Sequence, residues 1–358
     1  REAIWPERSV RALQEAGLGG LVIPVDEGGL GFGLFALARA CEILGEQCAS
    51  TALCFGMHWV GSAVIAAKAT PHHRERYLEP IVRGNHVTTL ALSEPGTGAH
   101  FYMPQTRMTA LAGGTLELDG EKAFVTNGGY ADSYVLSTVA ADANARPGTF
   151  SCVVVPRDAS GLTWGDQWEG LGMRGNCSRT LRLKNVEIPS AELLGAAGDQ
   201  IWYVFNVVAP FFLIAMAGTY LGVASRALKE ARAHVASRRY EHSGGAVAEV
   251  AVVQHRLGAL WGVVERTRGL VERAAQGADA GDPDALPNLC AAKAEVADCV
   301  VRTVGEAMTL CGGVGYRSSG VLWRLLRDAR AVHVMSPTTD LLRTWIGRSL
   351  LDLPLLGD

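Results

Sequence analysis

Two residues of the stretch GEKAFVTNGGYADSYVL (120–136) have side chains suited to a flat aromatic ligand. Phe124 and Thr126 are separated by one residue, and alternate residues of a β-strand lie on the same face. On such a face the aromatic ring can stack on an isoalloxazine while the threonine hydroxyl reaches a flavin nitrogen. The spacing therefore predicts that this strand holds the ring of a flavin.

A second stretch, ALSEPGTGAH (91–100), reads as a strand that ends in a turn rich in glycine and proline. Glycine lets the backbone approach a ring or a phosphate closely, because it carries no β-carbon. By itself the stretch favours an ordinary hairpin connector. Together with the strand around Phe124 it indicates a ligand site.

The elements that must position these residues fall into three zones, which gives an α+β order without alternating βαβ units. Residues 1–85 have helical apolar spacing joined by glycine turns, and the GxG within 29–33 is interpreted as a turn. Residues 86–195 contain short β-branched runs, typical of antiparallel strands in a sandwich or barrel. The runs are HVTTLALS, TLELDG, KAFVTN, SYVLSTVA, TFSCVVVP and RTLRLKNVEIP. Residues 196–358 are helical.

The C-terminal zone predicts long bundle helices. Apolar residues recur at intervals of three and four in 246–276, namely Val250, Val253, Leu257, Leu260, Val264 and Val271. The acidic loop 277–287 separates this helix from another over about 288–311, and a last short helix begins near Pro337. We expect a helical bundle.

Composition excludes several classes of protein. The chain has 358 residues, 48% of them apolar, and a net charge of −3, with no basic block and no zinc-finger spacing. Nucleic acid is therefore not an expected partner, and no metal site is predicted. The eight cysteines form no CxxC pair, so we expect reduced, buried thiols and a cytoplasmic protein. The chain opens in a helix pattern without a signal peptide, and we expect its natural N-terminus upstream.

The run 201–225 carries no charged residue and is long enough to span a bilayer. Asn206, Pro210 and the pair Gly218-Thr219 interrupt it, and it is the only such run that the sequence suggests. We therefore interpret it as a helix buried on all sides, placed at a subunit interface, and expect no membrane span.

Taken together, these segments resemble the acyl-CoA dehydrogenase family of flavoproteins over nearly the whole chain. The resemblance includes PVDEGGLGFG (24–33), Ser-Glu-Pro-Gly-x-Gly (93–98) and the Lys-x-Phe-x-Thr-Asn strand (122–127). It continues through GLGMRGNCSRTLRLKNVEIP (170–189), CGGVGY (311–316) and RDAR (327–330). It implies an N-terminal helical domain, a central β domain, a C-terminal four-helix domain and a homo-oligomer, either dimer or tetramer.

The resemblance also implies FAD as the cofactor and a role in fatty acid metabolism. The implied FAD contacts are Leu92, Ser93, Phe124, Thr126, Arg238, Gln254, Gly312, Gly313, Thr338 and Asp340. Of these, Arg238, Gln254, Gly312 and Gly313 would serve the adenine or pyrophosphate part of a neighbouring subunit's cofactor.

The family's catalytic carboxylate is missing. Dehydrogenation of an acyl thioester needs a base near the α-carbon, and such enzymes use a glutamate in an apolar site. The resemblance places that glutamate at Ser336 or, alternatively, at Phe212. The arginine that often follows the second position is Leu213, which removes a charge that helps to hold coenzyme A.

Several residues near Ser336 have two interpretations each. Ser336 followed by Pro337 is a helix-start pattern, so we interpret Ser336 as an N-cap before considering it as catalytic. His333 titrates in the right range and is a candidate base, or it packs against the preceding helix. Asp340 is expected at the flavin edge, and His100 at the surface near the substrate entrance.

Three hypotheses remain open. The first is a flavin-dependent dehydrogenase of acyl-CoA or another acyl thioester with a relocated base, passing electrons to an electron-transfer flavoprotein. The second is a flavin-dependent monooxygenase on the same fold, which needs no such base. The third is a non-catalytic subunit of a heteromeric dehydrogenase. The sequence does not specify the acyl chain.

Overall fold

The N-terminal part of the chain is helical in the computed structural model, which describes residues 3–140, 149–198 and 201–356. Its helices are α1 (Glu7–Glu15), α2 (Leu34–Gln47), α3 (Ala49–Ala67), α4 (Pro71–His73) and α5 (Glu79–Val82). Helix α3 is buried almost all round, which its nearly continuous run of apolar and small residues permits.

The middle domain is a β domain, as predicted. Its strands are β1 (Thr88–Ala91), β2 (Arg107–Leu111), β3 (Thr115–Val125), β4 (Ser133–Ala140), β5 (Ser151–Pro156), β6 (Leu162–Trp164), β7 (Arg179–Pro189) and β8 (Leu193–Leu194). Within the described residues they form one eight-stranded sheet in the order β6-β7-β3-β2-β4-β5-β8, with β1 beside β4. Two pairings, β1 with β4 and β2 with β4, are parallel, so the expectation of a wholly antiparallel sheet is wrong at β4.

The predicted division of TLELDG from KAFVTN is also wrong, because TLELDG and the first four residues of KAFVTN lie in the single strand β3. Gly120 between them forms no turn. A β-carbon there would overlap Thr106, so the glycine permits a close approach of the two backbones. The register with β7 shifts beside Gly120 and again between Lys122 and Val125.

The C-terminal domain is helical. Its helices are α6 (Ile201–Tyr203), α7 (Ala209–Ser237), α8 (Ala251–Asp279), α9 (Ala285–Gly315), α10 (Val321–Ala329), α11 (Ala331–Val334) and α12 (Thr339–Leu350), and a π-helical turn at Val204–Val208 joins α6 to α7. The uncharged run 201–225 lies in α6, this turn and α7, as predicted.

Two helices of the described residues are long and apolar enough to cross a membrane by length and composition, Val204–Ser237 and Ala49–Ala67. The prediction of a single such run is therefore wrong. In their most apolar windows 83% and 94% of the residues are buried inside the protein, respectively. This burial indicates helices of the core.

A proline follows each of two π-helical turns. Pro80 comes two residues after the turn Arg74–Leu78, and Pro210 two residues after Val204–Val208. Proline cannot donate to the carbonyl four residues earlier, and its ring crowds that carbonyl. A widened turn relieves this conflict without breaking the helix.

Helices α2 and α7 pack at very short range. Gly218 and Gly222 on α7 face the backbone of α2, and a β-carbon at either would overlap the carbonyl oxygen of Ala38 or Glu42, respectively. A second link comes from Asp279 at the end of α8. Its carboxylate accepts hydrogen bonds from Leu34 N at 2.7 Å and Phe35 N at 2.9 Å, and so caps α2.

The predicted apolar stripe of α8 is buried only in its second half. Leu260, Val264 and Val271 are buried, and Val253 and Leu257 are partly exposed. Nearby, Val252 is 58% and Trp261 is 59% exposed. Trp261 and the partly exposed Val253 and Leu257, which are four residues apart along the helix, therefore present an apolar stripe to solvent near the start of α8.

All eight cysteines lie in described parts of the chain and are free, and seven of them are buried. Burial raises the pKa of several of these thiols, including Cys41, Cys152 and Cys290, to about 12. These thiols therefore stay protonated and unreactive at neutral pH.

Candidate active site

A buried ion pair connects the turn 91–100 to strand β3. The Nζ of Lys122 donates to Glu94 Oε1 at 2.5 Å and to Ser137 O at 2.6 Å. The Glu94 carboxylate also accepts from Gln105 N at 2.6 Å and from Thr106 N and Oγ1. Burial lowers the pKa of Lys122, and Glu94 opposes that shift. Because every partner is hydrogen-bonded, the pair fixes the shape of the loop 92–106.

The backbone adds a second connection at the predicted contacts Leu92 and Ser93. Ala123 N donates to Ser93 O at 2.8 Å, beside Phe124. Leu92 is buried and Ser93 is partly buried. The structure therefore brings the Ser-Glu-Pro turn and the Phe124 strand together, as the motif hypothesis requires.

Phe124 itself does not follow the regular alternation predicted for it. Its φ is +55°, it lies at the register shift between Lys122 and Val125, and its side chain is 65% exposed. Thr126 is buried instead. The prediction that the two share a strand face by simple alternation is wrong, because the bulge turns the chain between them.

Phe124 and Ser178 still border one open cleft of about 410 Å³. Its other lining residues include Trp164, Trp168 and Arg179. Trp168 meets the Phe124 ring edge-on at 6.0 Å between centroids. The Oγ1 of Thr126, which is buried, lies 3.5 Å from the Oγ of Ser178.

Asn127, directly after Thr126, joins three parts of the chain. Its side chain accepts from Trp5 Nε1 and donates to Cys54 O, both at 2.9 Å. Its backbone N donates to Asn176 O at 3.0 Å. This strand end is therefore held rigidly between the N-terminal helices and the segment 170–178.

The segment containing Ser336 contacts the glycine turn of the β domain. Ser336 Oγ donates to Ala99 O at 3.0 Å. Ser336 is not the N-cap that the sequence predicts. Helix α12 begins at Thr339, and its cap is Thr338, whose Oγ1 accepts from Leu341 N at 3.4 Å. The cap lies two residues later because the hydroxyl of Ser336 is engaged with the turn.

His333 lies on the other side of this segment. Its Nδ1 is 3.1 Å from Thr339 Oγ1, and its Nε2 is 3.8 Å from Asp298 Oδ1. Burial lowers the pKa of His333, and Asp298 opposes that shift. The ring is thus neutral at pH 7. These contacts are with α9 and with the following helix α12, whereas the packing interpretation expected the preceding helix.

The alternative position for the base is apolar, since Phe212 is partly buried in α7. Leu213, at the position of the expected arginine, is fully buried. Asp340 is exposed in the first turn of α12, and His100 is exposed at the end of the glycine turn.

The remaining predicted cofactor contacts are on the protein surface. Arg238, Gln254, Gly312 and Gly313 are exposed, and Gln254 Nε2 donates to Ala248 O at 2.8 Å. Gly312 interrupts α9 with φ +58° and has open space where a β-carbon would lie. Among the hydrogen bonds of the described chain, none joins these four residues to the Phe124 cleft.

Sequence reasoning missed two features of this region. Trp345 of α12 is buried, with its ring 6.1 Å from Tyr102 and 6.0 Å from Phe205. The other feature is Lys293 of α9, which is fully buried beneath the Ser336 segment. Lys293 falls on the apolar stripe of Leu289, Val296 and Val300 at helical spacing, and this position was the available signal.

Comparison with known proteins gives consistent matches along the chain. Residues 1–85, 89–186 and 211–351 match the family models described as acyl-CoA dehydrogenase N-terminal, middle and C-terminal domain. Cyclohex-1-ene-1-carbonyl-CoA dehydrogenase of Geobacter metallireducens is 30% identical over 351 residues, which are 98% of this chain and 91% of that protein.

Solved structures show the same fold. Butyryl-CoA dehydrogenase from Megasphaera elsdenii has a TM-score of 0.91 at 25% identity, over 98% of this chain and 91% of that one. The prolyl acyl carrier protein oxidase AnaB has a TM-score of 0.85 at 24% identity, over 98% of this chain and 92% of that one. At this identity the second likeness concerns the fold alone.

Proposed function

The chain belongs to the acyl-CoA dehydrogenase family, and on that basis we propose that it is an FAD-dependent enzyme that desaturates an acyl thioester between Cα and Cβ. The observation that supports this most is the contact of Ser336 Oγ with Ala99 O at 3.0 Å. This contact joins the segment in which the family resemblance expects the base to the turn 91–100, whose Ser93 is bonded to the Phe124 strand.

The residues present fit a flavin. The ring of Phe124 is an exposed apolar surface beside an open cleft, so it is available to a planar ligand. Thr126 is buried, with its Oγ1 3.5 Å from Ser178 Oγ, and Ser178 lines the cleft. The exposed Arg238 and the open backbone at Gly312 suit a phosphate group. When bound, a flavin supplies the acceptor for a hydride from Cβ.

The proton from Cα needs a separate acceptor in this reaction. Ser336 donates its own proton to Ala99 O and has no described base beside it, so it does not take this role. His333 remains the candidate base that we propose, since it is neutral and lies three residues before Ser336. To reach Cα, its ring must release the contacts with Thr339 and Asp298.

Anaerobic mixing of the purified protein with a panel of acyl-CoAs tests the proposed reaction. The panel should include straight-chain and alicyclic thioesters, since one relative acts on cyclohex-1-ene-1-carbonyl-CoA. We expect the visible absorbance of the oxidised flavin to bleach with at least one of them. A colourless protein that takes up no FAD would contradict the assignment.

His333→Ala tests the base. The proposal predicts that this variant binds FAD but no longer bleaches, because general base catalysis contributes about a hundredfold or more to such a step. The control is His100→Ala, which changes an exposed histidine outside the segment. Unchanged bleaching in His333→Ala would exclude His333.

A second candidate is a monooxygenase that uses reduced flavin and oxygen. The apolar Phe212 and the hydrogen-bonded Ser336 favour it, because oxygen chemistry needs no α-proton base. Product formation only when reduced flavin and oxygen are supplied would support this candidate. Activity that appears only with a partner chain would support a non-catalytic subunit.

We also propose an electron-transfer flavoprotein as the electron acceptor and a homo-oligomer as the active form. The exposure of Arg238, Gln254 and Gly312 supports an oligomer, since a cofactor reaching between subunits would cover them.

A further inference from the structure

Lys293 is a fully buried lysine whose ammonium is surrounded by backbone carbonyls. Its Nζ donates to Val332 O at 2.9 Å, Met335 O at 3.0 Å and Pro337 O at 2.8 Å. A protonated lysine has three N–H donors and no acceptor. The three carbonyls therefore match the three donors of the charged form.

No carboxylate takes part in this arrangement. Among the ion pairs of the described residues, Lys122 has Glu94 as its partner, whereas Lys293 has none. A buried charge without a counter-ion destabilises the fold, so other interactions of Lys293 must offset this cost. Within the described residues, the hydrogen-bond acceptors of its ammonium are the three carbonyl oxygens.

Two of the three carbonyls belong to the segment between α11 and α12, and the third belongs to α11 itself. Met335 and Pro337 are the two neighbours of Ser336, and Val332 lies in α11. On the opposite side Ser336 Oγ reaches Ala99 O. Lys293 of α9 thus contacts this segment on one side, and the glycine turn 91–100 of the β domain contacts it on the other.

We propose that Lys293 is a positioning residue of the active site, which sets the height and orientation of the Ser336 segment against the glycine turn 91–100. It acts through the backbone and touches no reacting atom. The role in catalysis rests on the proposed function, whereas the role in holding the segment does not.

The arrangement also explains how this segment keeps its shape without regular structure. Residues 335–338 lie between two helices and have few backbone hydrogen bonds of their own, Met335 N to Ala331 O being one. Carbonyls left without donors in a buried position would be expensive. One side chain from α9 satisfies three of them at once.

Hydrogen–deuterium exchange of the FAD-bound protein tests the holding role. We expect Lys293→Met to raise exchange in peptides covering 331–342 by about tenfold, while peptides from α3 stay unchanged. The control is Lys229→Met, which removes an exposed lysine paired with Glu46. Wild-type protection of 331–342 in Lys293→Met would overturn the proposal.

Lys293→Gln keeps the test decisive if the methionine variant does not fold. Its amide retains two N–H donors, so we expect exchange in 331–342 between that of wild type and Lys293→Met, about threefold above wild type. Exchange equal to wild type in Lys293→Gln would also overturn the proposal.

The catalytic consequence needs a second readout. With saturating acyl-CoA, we expect the rate constant of flavin bleaching in Lys293→Gln to fall about tenfold or more while FAD content and substrate affinity stay near wild type. A purely structural role would lower FAD content together with the rate. If wild type itself never bleaches, the proposed reaction fails, and the exchange result still decides the holding role.

Discussion

Lys122 and Lys293 are both fully buried, and the chain stabilises them in different ways. Lys122 has the carboxylate of Glu94 beside it, whereas Lys293 has three carbonyl oxygens. Burial lowers the pKa of both, and that of Lys293 reaches about 7. The difference predicts that the two residues respond differently to substitution and to pH.

Lys293 should make stability depend on pH above neutrality. The unfolded chain keeps this proton up to about its ordinary pKa of 10.5, whereas the folded chain loses it near 7. Between these values the unfolded state binds more protons, so the contribution of Lys293 to the free energy of unfolding rises with pH. From pH 7 to 9 the rise is about 2 kcal/mol.

Urea denaturation at pH 7 and pH 9 measures this effect as the difference between wild type and Lys293→Met. We expect the free energy of unfolding of wild type to rise relative to that of Lys293→Met between pH 7 and pH 9. Cys290 on α9 and His333 on α11 are the titratable groups that interact with Lys293, so Cys290→Ala serves as a control. A pH-independent difference would contradict the prediction.

Substitution of Glu94 should lower the free energy of unfolding more than substitution of an exposed glutamate. Glu94→Gln leaves the Lys122 ammonium buried without its carboxylate, and we expect a loss of about 3 kcal/mol in the free energy of unfolding. Glu121→Gln is the control, because its partner Arg182 is 57% exposed and such pairs contribute less than about 1 kcal/mol. Equal losses in urea denaturation would refute the special role of Glu94.

At the scale of elements, close packing of α2 on α7 is a defining contact. Gly222→Ala places a methyl group against the Glu42 carbonyl, which belongs to a helix backbone and cannot turn aside. We expect a loss of about 1–3 kcal/mol, measured by urea denaturation. Gly258→Ala on α8 is the control, since open space surrounds that position and alanine favours helices. A neutral Gly222→Ala would contradict the close contact.

The sequence predicts some elements almost residue for residue. The β-branched runs match β4, β5 and β7, because those strands are buried on one or both faces and carry a clear pattern. Strand β2 buries one of its five residues and β6 has only three residues, so neither carries a readable pattern. From the sequence alone Gly120 predicts a turn, whereas in the structure it allows the backbones of β3 and Thr106 to approach each other closely.

The same limit applies to the site. Local motifs predict that Ser93 and Phe124 lie together, and the bond from Ala123 N to Ser93 O agrees. The bulge at Phe124 and the carbonyl cluster around Lys293 depend on partners far along the chain, Leu181 and Pro337 among them. Residue spacing within one segment cannot identify partners that lie so far away in the sequence.

At the scale of the whole molecule, the exposed apolar stripe near the start of α8 and the exposed residues predicted to contact the cofactor indicate that a second copy completes the protein. Trp261→Glu places a charge on this apolar surface. We expect the variant to have a lower molar mass in solution by light scattering and to lose FAD. Val25→Glu, at another exposed apolar residue, is the control. An unchanged mass for Trp261→Glu would exclude this surface.

The carboxylate of Asp279 caps α2 across 245 positions of sequence, and Gly33, the residue that precedes α2, offers no side chain for that purpose. During synthesis on the ribosome, α2 leaves the exit tunnel long before Asp279 has been added. Its first amide groups have no side-chain cap until then. The N-terminal helices therefore cannot reach their final state as an independent module, and shortening the chain before residue 279 would leave them incomplete.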